Sequence, residues 1–353
     1  MLRDVILELV DERGLNQSDL TEIIKEGVLA AYNKKYPEAQ FRLTLDKDSG
    51  LFVEILKTVV SETDDETTQI SLRKARFIKK NAELDDTLWL PFEEPIGRVE
   101  ILKARQVIAT KIRDIEAQSI FKEFEDKIGT IVHGTIHKVE RNGIAIMIRD
   151  TAAFLPKSYC VPEERYIPGR PIRALLKEIK TEYSTNGQLI LDRASADFLV
   201  ALLGIEIPEV YDKLIEIKAA SRRAGYKSKI IVASHDPNID PVGTCVGVGG
   251  GRIKPILKEL GGEKIDVISW VNSKEELVKN ALRPAEVNRV EILDEKNARA
   301  WVSDDQRAYA IGKSGQNISL ASELLHMHIE LVGSGATDIA EFVNDAHDNQ
   351  DDL

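Results

Sequence analysis

Two short glycine segments stand 65 positions apart in this 353-residue chain: Gly247-Val248-Gly249-Gly250 and Gly312-Lys313-Ser314-Gly315. Their chemistry is that of an anion cradle. Glycine lacks a Cβ, so the backbone can approach a phosphodiester closely and adopt positive φ. The amides that open a following helix then point at the phosphate. A G-x-x-G turn set between two helices clamps the backbone of about four single-stranded nucleotides. One such tetrapeptide would carry little weight. Two in matching contexts make RNA the leading candidate ligand, with Arg252 and Lys313 adding positive charge beside them.

Rival readings of the glycines fail on spacing. Gly312-Lys313-Ser314 imitates the end of a Walker loop, but that motif requires glycine at position 307, which is Arg307. Counted from Gly247, a dinucleotide fingerprint requires its last glycine at position 252, which is Arg252. No catalytic constellation is evident. Cys160 and Cys245 form no C-x-x-C pair and read as small buried thiols in a reducing compartment. The six histidines show no metal-ligand spacing, and no pair of acids has a setting suited to general acid–base work. The expectation is a non-enzymatic binding protein with neither cofactor nor metal.

A net charge of −11 argues at first against nucleic acid, but its distribution does not. Residues 215–283, which hold the first glycine segment, carry 12 basic and 8 acidic side chains, whereas residues 284–353 carry 5 and 14. Local field, not total charge, governs phosphate contact. Hydrophobic residues make up 43% of the chain, enough for real cores, and the length suits two to four domains. No run of about 18 apolar residues predicts a membrane span. The N-terminus does not read as a secretory signal.

The elements that position these segments follow from periodicity. Val5, Ile6, Leu9 and Val10 predict a first helix. A second starts near Ser18, with Leu20, Ile23, Ile24, Val28, Ala31 and Tyr32 on one stripe, and ends before Pro37. Alternation over 41–45 and 51–56, with Asp48-Ser49-Gly50 between, predicts a hairpin. Residues 61–69 read as a loop, and a long helix is expected from about Val99 to Asp126. Residues 128–193 switch to about five short strands, with turns at Asn142-Gly143 and Asn186-Gly187, which suits a small OB-type barrel. Phe154 and Tyr159 are its nearest candidates for base stacking, although Phe154 lies in a mostly apolar strand.

Residues 194–214 read as helical. A strand over 214–223 then enters a basic bend, with Arg222, Arg223, Lys227 and Lys229 placed to hold phosphate. Both glycine segments lie in the order helix, G-x-x-G, helix, strand, the pattern of a KH module. Ser303 and Gln306 fit a capping box for the helix that enters the second loop.

Several stretches go beyond pattern. Asp240-Pro241-Val242-Gly243-Thr244-Cys245-Val246-Gly247, Gly262-Glu263-Lys264-Ile265-Asp266-Val267, Ala281-Leu282-Arg283-Pro284-Ala285-Glu286-Val287 and Ala310-Ile311-Gly312-Lys313-Ser314-Gly315-Gln316-Asn317-Ile318 closely resemble the NusA family of bacterial transcription factors. So do Phe154-Leu155-Pro156 and Ile217-Lys218-Ala219-Ala220. The resemblance implies a multidomain α+β protein with an N-terminal RNA polymerase-binding domain (1–127). An OB-fold β-barrel of the type named after ribosomal protein S-one follows (128–199). Two tandem type II KH domains (200–281 and 282–344) and an acidic tail (345–353) complete it.

It implies a cytoplasmic, monomeric elongation factor that modulates pausing, intrinsic termination and antitermination. RNA polymerase and nascent single-stranded RNA are the implied partners, with other Nus factors and a ribosomal protein as further candidates. Carried over by motif, RNA contact falls on Gly247, Val248, Gly249, Gly250 and Arg252. It falls equally on Gly312, Lys313, Ser314, Gly315, Gln316 and Asn317, and on Arg222 and Lys229. The alternatives are an RNA-binding adaptor of the ribosome or of RNA processing, or a processing enzyme of the polyribonucleotide phosphorylase type. The last would need chemistry in residues 1–127, where no catalytic cluster is seen.

Three departures from the family pattern stand out. Gly249 occupies a position that is often basic. His326-Met327 replaces a usual Gly-Trp. No acidic repeat domains follow the short tail, so autoinhibition through such repeats is not expected.

Overall fold

The structure is a computed structural model that describes residues 17–46, 50–94, 97–180 and 187–333. The expected helix over residues 3–10, the turn residues Asp48 and Ser49, Asn186 and the acidic tail lie outside these residues. The chain divides by its internal contacts into residues 1–119 and 120–353.

In the first unit, helix α1 (Gln17–Lys35) buries Ile23, Ile24, Val28, Ala31 and Tyr32, the stripe predicted from their spacing. Strands β1 (Phe41–Asp46) and β2 (Gly50–Val60) pair antiparallel, with Leu43 opposite Val53. Tyr32 packs against Phe41 and Phe92, with ring centroids 5.1 and 5.8 Å away. Residues 69–91 form elements that carry no clear period. These are β3 (Gln69–Ser71), α2 (Leu72–Ile78) and β4 (Thr87–Pro91), with β3 parallel and β4 antiparallel to β2. Helix α3 runs from Arg98 to Phe124, close to its predicted span.

The second unit opens with a closed barrel. Its strands β5 (Ile131–Val139), β6 (Gly143–Ile148), β7 (Thr151–Pro156), β8 (Pro171–Ile179) and β9 (Leu189–Asp192) close in the order β5-β6-β7-β9-β8. Every second residue turns inward, so Val132, Ile144, Ile146, Leu155, Ile172, Leu176 and Leu191 fill the interior.

Two copies of one αββααβ unit follow, each with an antiparallel pair and a parallel third strand, the type II KH arrangement. The first comprises α4 (Ala196–Glu206) with the short α5 (Pro208–Tyr211), β10 (Ile215–Arg223), β11 (Lys227–Ser234), α6 (Pro241–Val246), α7 (Ile253–Glu259) and β12 (Lys264–Ser269). The second comprises α8 (Lys274–Ala281), β13 (Arg289–Ile292), β14 (Asn297–Val302), α9 (Asp304–Ile311), α10 (Gln316–Leu325) and β15 (His328–Gly333).

The two copies share a core, in which Ile231 and Ile268 of the first meet Ala321, Leu324, Met327 and Ile329 of the second. This answers the departure at His326-Met327. His326 takes the left-handed conformation that ends α10, with φ +53°, and Met327 is buried in that core. Histidine is among the non-glycine residues that tolerate this region best. The capping box is not formed. Ser303 sits at the N-cap of α9 without a side-chain cap bond, and the Gln306 amide oxygen instead accepts from the Glu286 N–H at 3.1 Å.

Candidate nucleic-acid interface

Each glycine loop is built by stopping one helix and starting another within a few residues. Asp240 caps α6, accepting from the Val242 and Gly243 N–H groups at 3.1 Å each, and Pro241 fills the first helical position. The helix stops at Gly247 (φ +73°, ψ 166°), and a single 3₁₀ turn, Val248–Gly250, leads through Gly249 (φ +59°) and Gly250 (φ +76°) toward α7. The second loop repeats this almost angle for angle. Gly312 (φ +73°, ψ 177°), Ser314 (φ +53°) and Gly315 (φ +73°) stand where Gly247, Gly249 and Gly250 stand in the first. Val248, Gly249, Lys313 and Ser314 form the exposed tips.

The same register reveals a strut common to both loops. A Cβ on Gly247 would lie 2.9 Å from Arg252 Cγ and 3.0 Å from its backbone nitrogen. One on Gly312 would lie 2.7 Å from Asn317 Cβ and 3.0 Å from its nitrogen. Glycine is therefore required at both positions by close approach as well as by φ. Each strut residue then reaches back to brace the helix before the loop. Arg252 Nη1 donates to the Thr244 carbonyl at 3.0 Å and is held by Glu209 at 2.8 Å. Asn317 Nδ2 donates to the carbonyls of Leu282, Tyr309 and Ala310 at 3.0, 3.3 and 3.2 Å. Thr244 and Tyr309 are equivalent, each three residues before the first loop glycine. Arg252 and Asn317, both expected at phosphate, thus hold loop shape. Gln316 opens α10 with its amide oxygen buried and without a hydrogen-bond partner.

Arg222 and Lys229 require a correction, since both side chains are buried and neither reaches the surface. The Arg222 and Glu263 side chains are both 0% exposed and form an ion pair at 3.0 Å. Arg222 Nη1 also donates to the carbonyls of Arg193 and Ser195 at 2.7 and 3.0 Å. Lys229 Nζ is buried between Asp266 at 2.8 Å and the Arg283 carbonyl at 3.1 Å. Burial pulls its pKa below the ordinary lysine value, with Asp266 opposing that shift. The physical reason is that both faces of the sheet are covered here: the neighbours Ser221 and Arg222 on β10 are both buried, as are residues 228–232 on β11.

With this geometry in place the chain can be compared with known proteins. Three family models match: the NusA N-terminal domain over residues 2–118, the NusA-like first KH domain over 193–270 and the NusA-like second KH domain over 274–338. A transcription termination/antitermination protein NusA from Thermus thermophilus is 33% identical over 98% of this chain and 93% of its own length. The chain belongs to the NusA family. The protein of the same name from Bacillus subtilis is 34% identical, covering 94% of this chain and 90% of its own length, and that from Halalkalibacterium halodurans is 34% identical over 93% and 87%.

The NusA-type barrel offers no open aromatic platform at the expected residues. Phe154 is buried, and Tyr159 packs on the barrel core beneath Lys177, whose Nζ sits 3.9 Å from the ring centroid. Barrel and first KH unit are joined by charges. Arg193 Nη1 reaches Glu259 at 2.8 Å and its Nε reaches Glu164 at 3.0 Å, while Arg173 bridges Glu206 and Glu259. A cleft of about 470 Å³ beside this network has Arg165, Arg170 and Lys258 on its rim.

Two residues near the loops escape a reading by motif. Lys254, on the first turn of α7, is exposed, and a Cβ on Gly250 would lie 3.6 Å from its Cε. Tyr309 stands exposed on α9 just before the second loop. The usable signal is the register between the two units, not either sequence alone. Burial raises the Cys245 thiol to about 11, which removes it as a nucleophile near neutral pH.

Proposed function

We propose that this protein is a transcription elongation factor that holds nascent single-stranded RNA on its barrel and KH units while its N-terminal region, residues 1–127, docks on RNA polymerase. It would thereby modulate pausing, intrinsic termination and antitermination. The observation that carries this reading is the repeated loop geometry within a chain matched end to end by NusA relatives. We retain residues 128–199, 200–281 and 282–344 as barrel, first KH and second KH domains. The RNA contacts fall on Gly247–Gly250, Gly312–Gly315 and Gln316, with Arg252 and Asn317 shaping the loops. Phe77, Ile78 and Leu84 are exposed in the N-terminal unit, apolar surface of the kind that protein partners cover. Family membership alone supports the non-enzymatic role, monomeric state, cytoplasmic location, and other Nus factors and a ribosomal protein as partners. Crosslinking the protein to a stalled elongation complex tests the proposal. Adducts to both polymerase and emerging RNA are expected, and adducts to RNA without polymerase would favour an adaptor role elsewhere.

The first loop carries no cation of its own, and Lys254 supplies charge from the following helix. Gly249 has open space around its Cβ position, and Ser314 already holds a side chain at a similar φ (+53° against +59°), so a side chain is accommodated there at the cost of left-handed backbone strain. Gly249→Lys should therefore fold and tighten single-stranded RNA binding severalfold. The dependence of affinity on salt should steepen by about 0.7 in log–log slope for one further phosphate neutralised. A salt titration of wild type and variant checks this, and an unchanged slope would place RNA away from the first loop.

A further inference from the structure

The register between the two loops exposes a difference that neither shows alone. Thr244 and Tyr309 occupy the same place, and each has its carbonyl held by the strut residue five positions beyond the first loop glycine. The first unit presents a short hydroxyl there. The second presents an aromatic ring that is 59% exposed. The Tyr309 backbone is fixed at the loop by the 3.3 Å bond from Asn317, so only the side-chain torsions remain free. Lys313, with its ammonium in solvent, follows four residues later at the loop tip. The other aromatic residue of this unit, Trp301, is buried and has the Arg289 guanidinium 5.1 Å from its ring centroid, so it is closed to a ligand. Tyr309 is thus the one exposed Phe, Tyr or Trp ring among the described residues 274–333.

We propose that Tyr309 is a base-stacking platform, so that the second loop holds a nucleobase as well as the phosphate beside it. This rests on the RNA-binding reading above. An unstacked base of single-stranded RNA presents an apolar face of about the size of a phenol ring, and such bases stack on exposed aromatic side chains. An exposed ring three residues before the loop, with Lys313 exposed at the loop tip four residues on, suits the stacking of one base while Lys313 neutralises the adjoining phosphate. The two loops then differ in kind. The first, with Thr244 at the platform position and Lys254 beside it, grips backbone alone.

The test compares Tyr309→Ala, Tyr309→Phe and wild type in binding a single-stranded RNA dodecamer and the same strand made abasic. Stacking predicts that Tyr309→Ala loses about ten-fold in affinity for the normal strand. It should lose nothing on the abasic strand, and Tyr309→Phe should stay within about two-fold of wild type. Tyr309→Trp should show quenched and shifted indole emission on binding the normal strand only. Equal affinity of Tyr309→Ala and wild type for the normal strand overturns the proposal. So does an equal loss on both strands, which would mark a structural role. Failure of the wild-type protein to bind either strand would instead overturn the RNA-binding reading and the platform with it.

Discussion

Replacing Arg222 by alanine should lower the stability of the barrel–KH unit by about 3–5 kcal/mol, the cost typical of breaking a buried ion pair from one side. The carboxylate of Glu263 would remain with 0% exposure and no cation, keeping only the Gly225 N–H at 2.9 Å and the Ser228 hydroxyl. The carbonyls of Arg193 and Ser195 would lose their donor as well, loosening the join between the end of the barrel and the first KH unit. A unit of this size loses about 2–4 °C in Tm per kcal/mol, so thermal unfolding reads the effect directly. The double replacement Arg222→Met with Glu263→Leu should recover much of the loss, because a well-packed apolar pair often serves as well as a buried ionic one. RNA binding should fall only in step with unfolding. A variant that keeps its Tm and loses RNA would restore Arg222 to the phosphate-binding set.

The opposite behaviour is expected at the second loop. Lys313→Asp with Ser314→Asp should reduce affinity for single-stranded RNA by about ten-fold or more at low salt, while stability changes by no more than about 0.5 kcal/mol. Both side chains are exposed, and Ser314 holds φ +53°, a conformation that aspartate accepts more readily than most residues. The pair of replacements turns a positive loop tip negative without touching the Asn317 strut. Binding isotherms across a salt series check the result, with the log–log slope becoming shallower by about 0.7 for each phosphate that is no longer neutralised. Unchanged affinity would remove this loop from the interface.

The contrast between these experiments shows which features a sequence can carry. The glycine loops were legible because their requirement is local: positive φ and close approach act within six residues. The barrel and the KH order were legible because strand alternation and helical stripes repeat over whole elements. Arg222 and Lys229 were misleading for the opposite reason. In the chain they form a basic bend, but their neutralising partners, Glu263 and Asp266, arrive from the far end of the unit through sheet pairing. Arg252 and Asn317 share a role while sharing no chemistry, so only the backbone register exposes their common place. The elements of residues 69–91 are too short, and β4 too evenly half-buried, to impress a period on the sequence.

Lys227 has a consequence that reaches past its own bonds. It pairs with Asp266 of the first KH unit at 2.7 Å and donates across to the Asn317 strut of the second at 3.3 Å, while Lys229 ties the same carboxylate to the connecting segment. The spacing between the two loops is therefore a property of one packed body. For a strand that both loops hold, the second engagement is intramolecular, governed by an effective concentration that the protein fixes and the RNA cannot tune. A strand too short to span the loops gains nothing from the second, and one just long enough gains all of it. Where both loops hold one strand, the body would act as a ruler, selecting unpaired RNA by its length before any base is read.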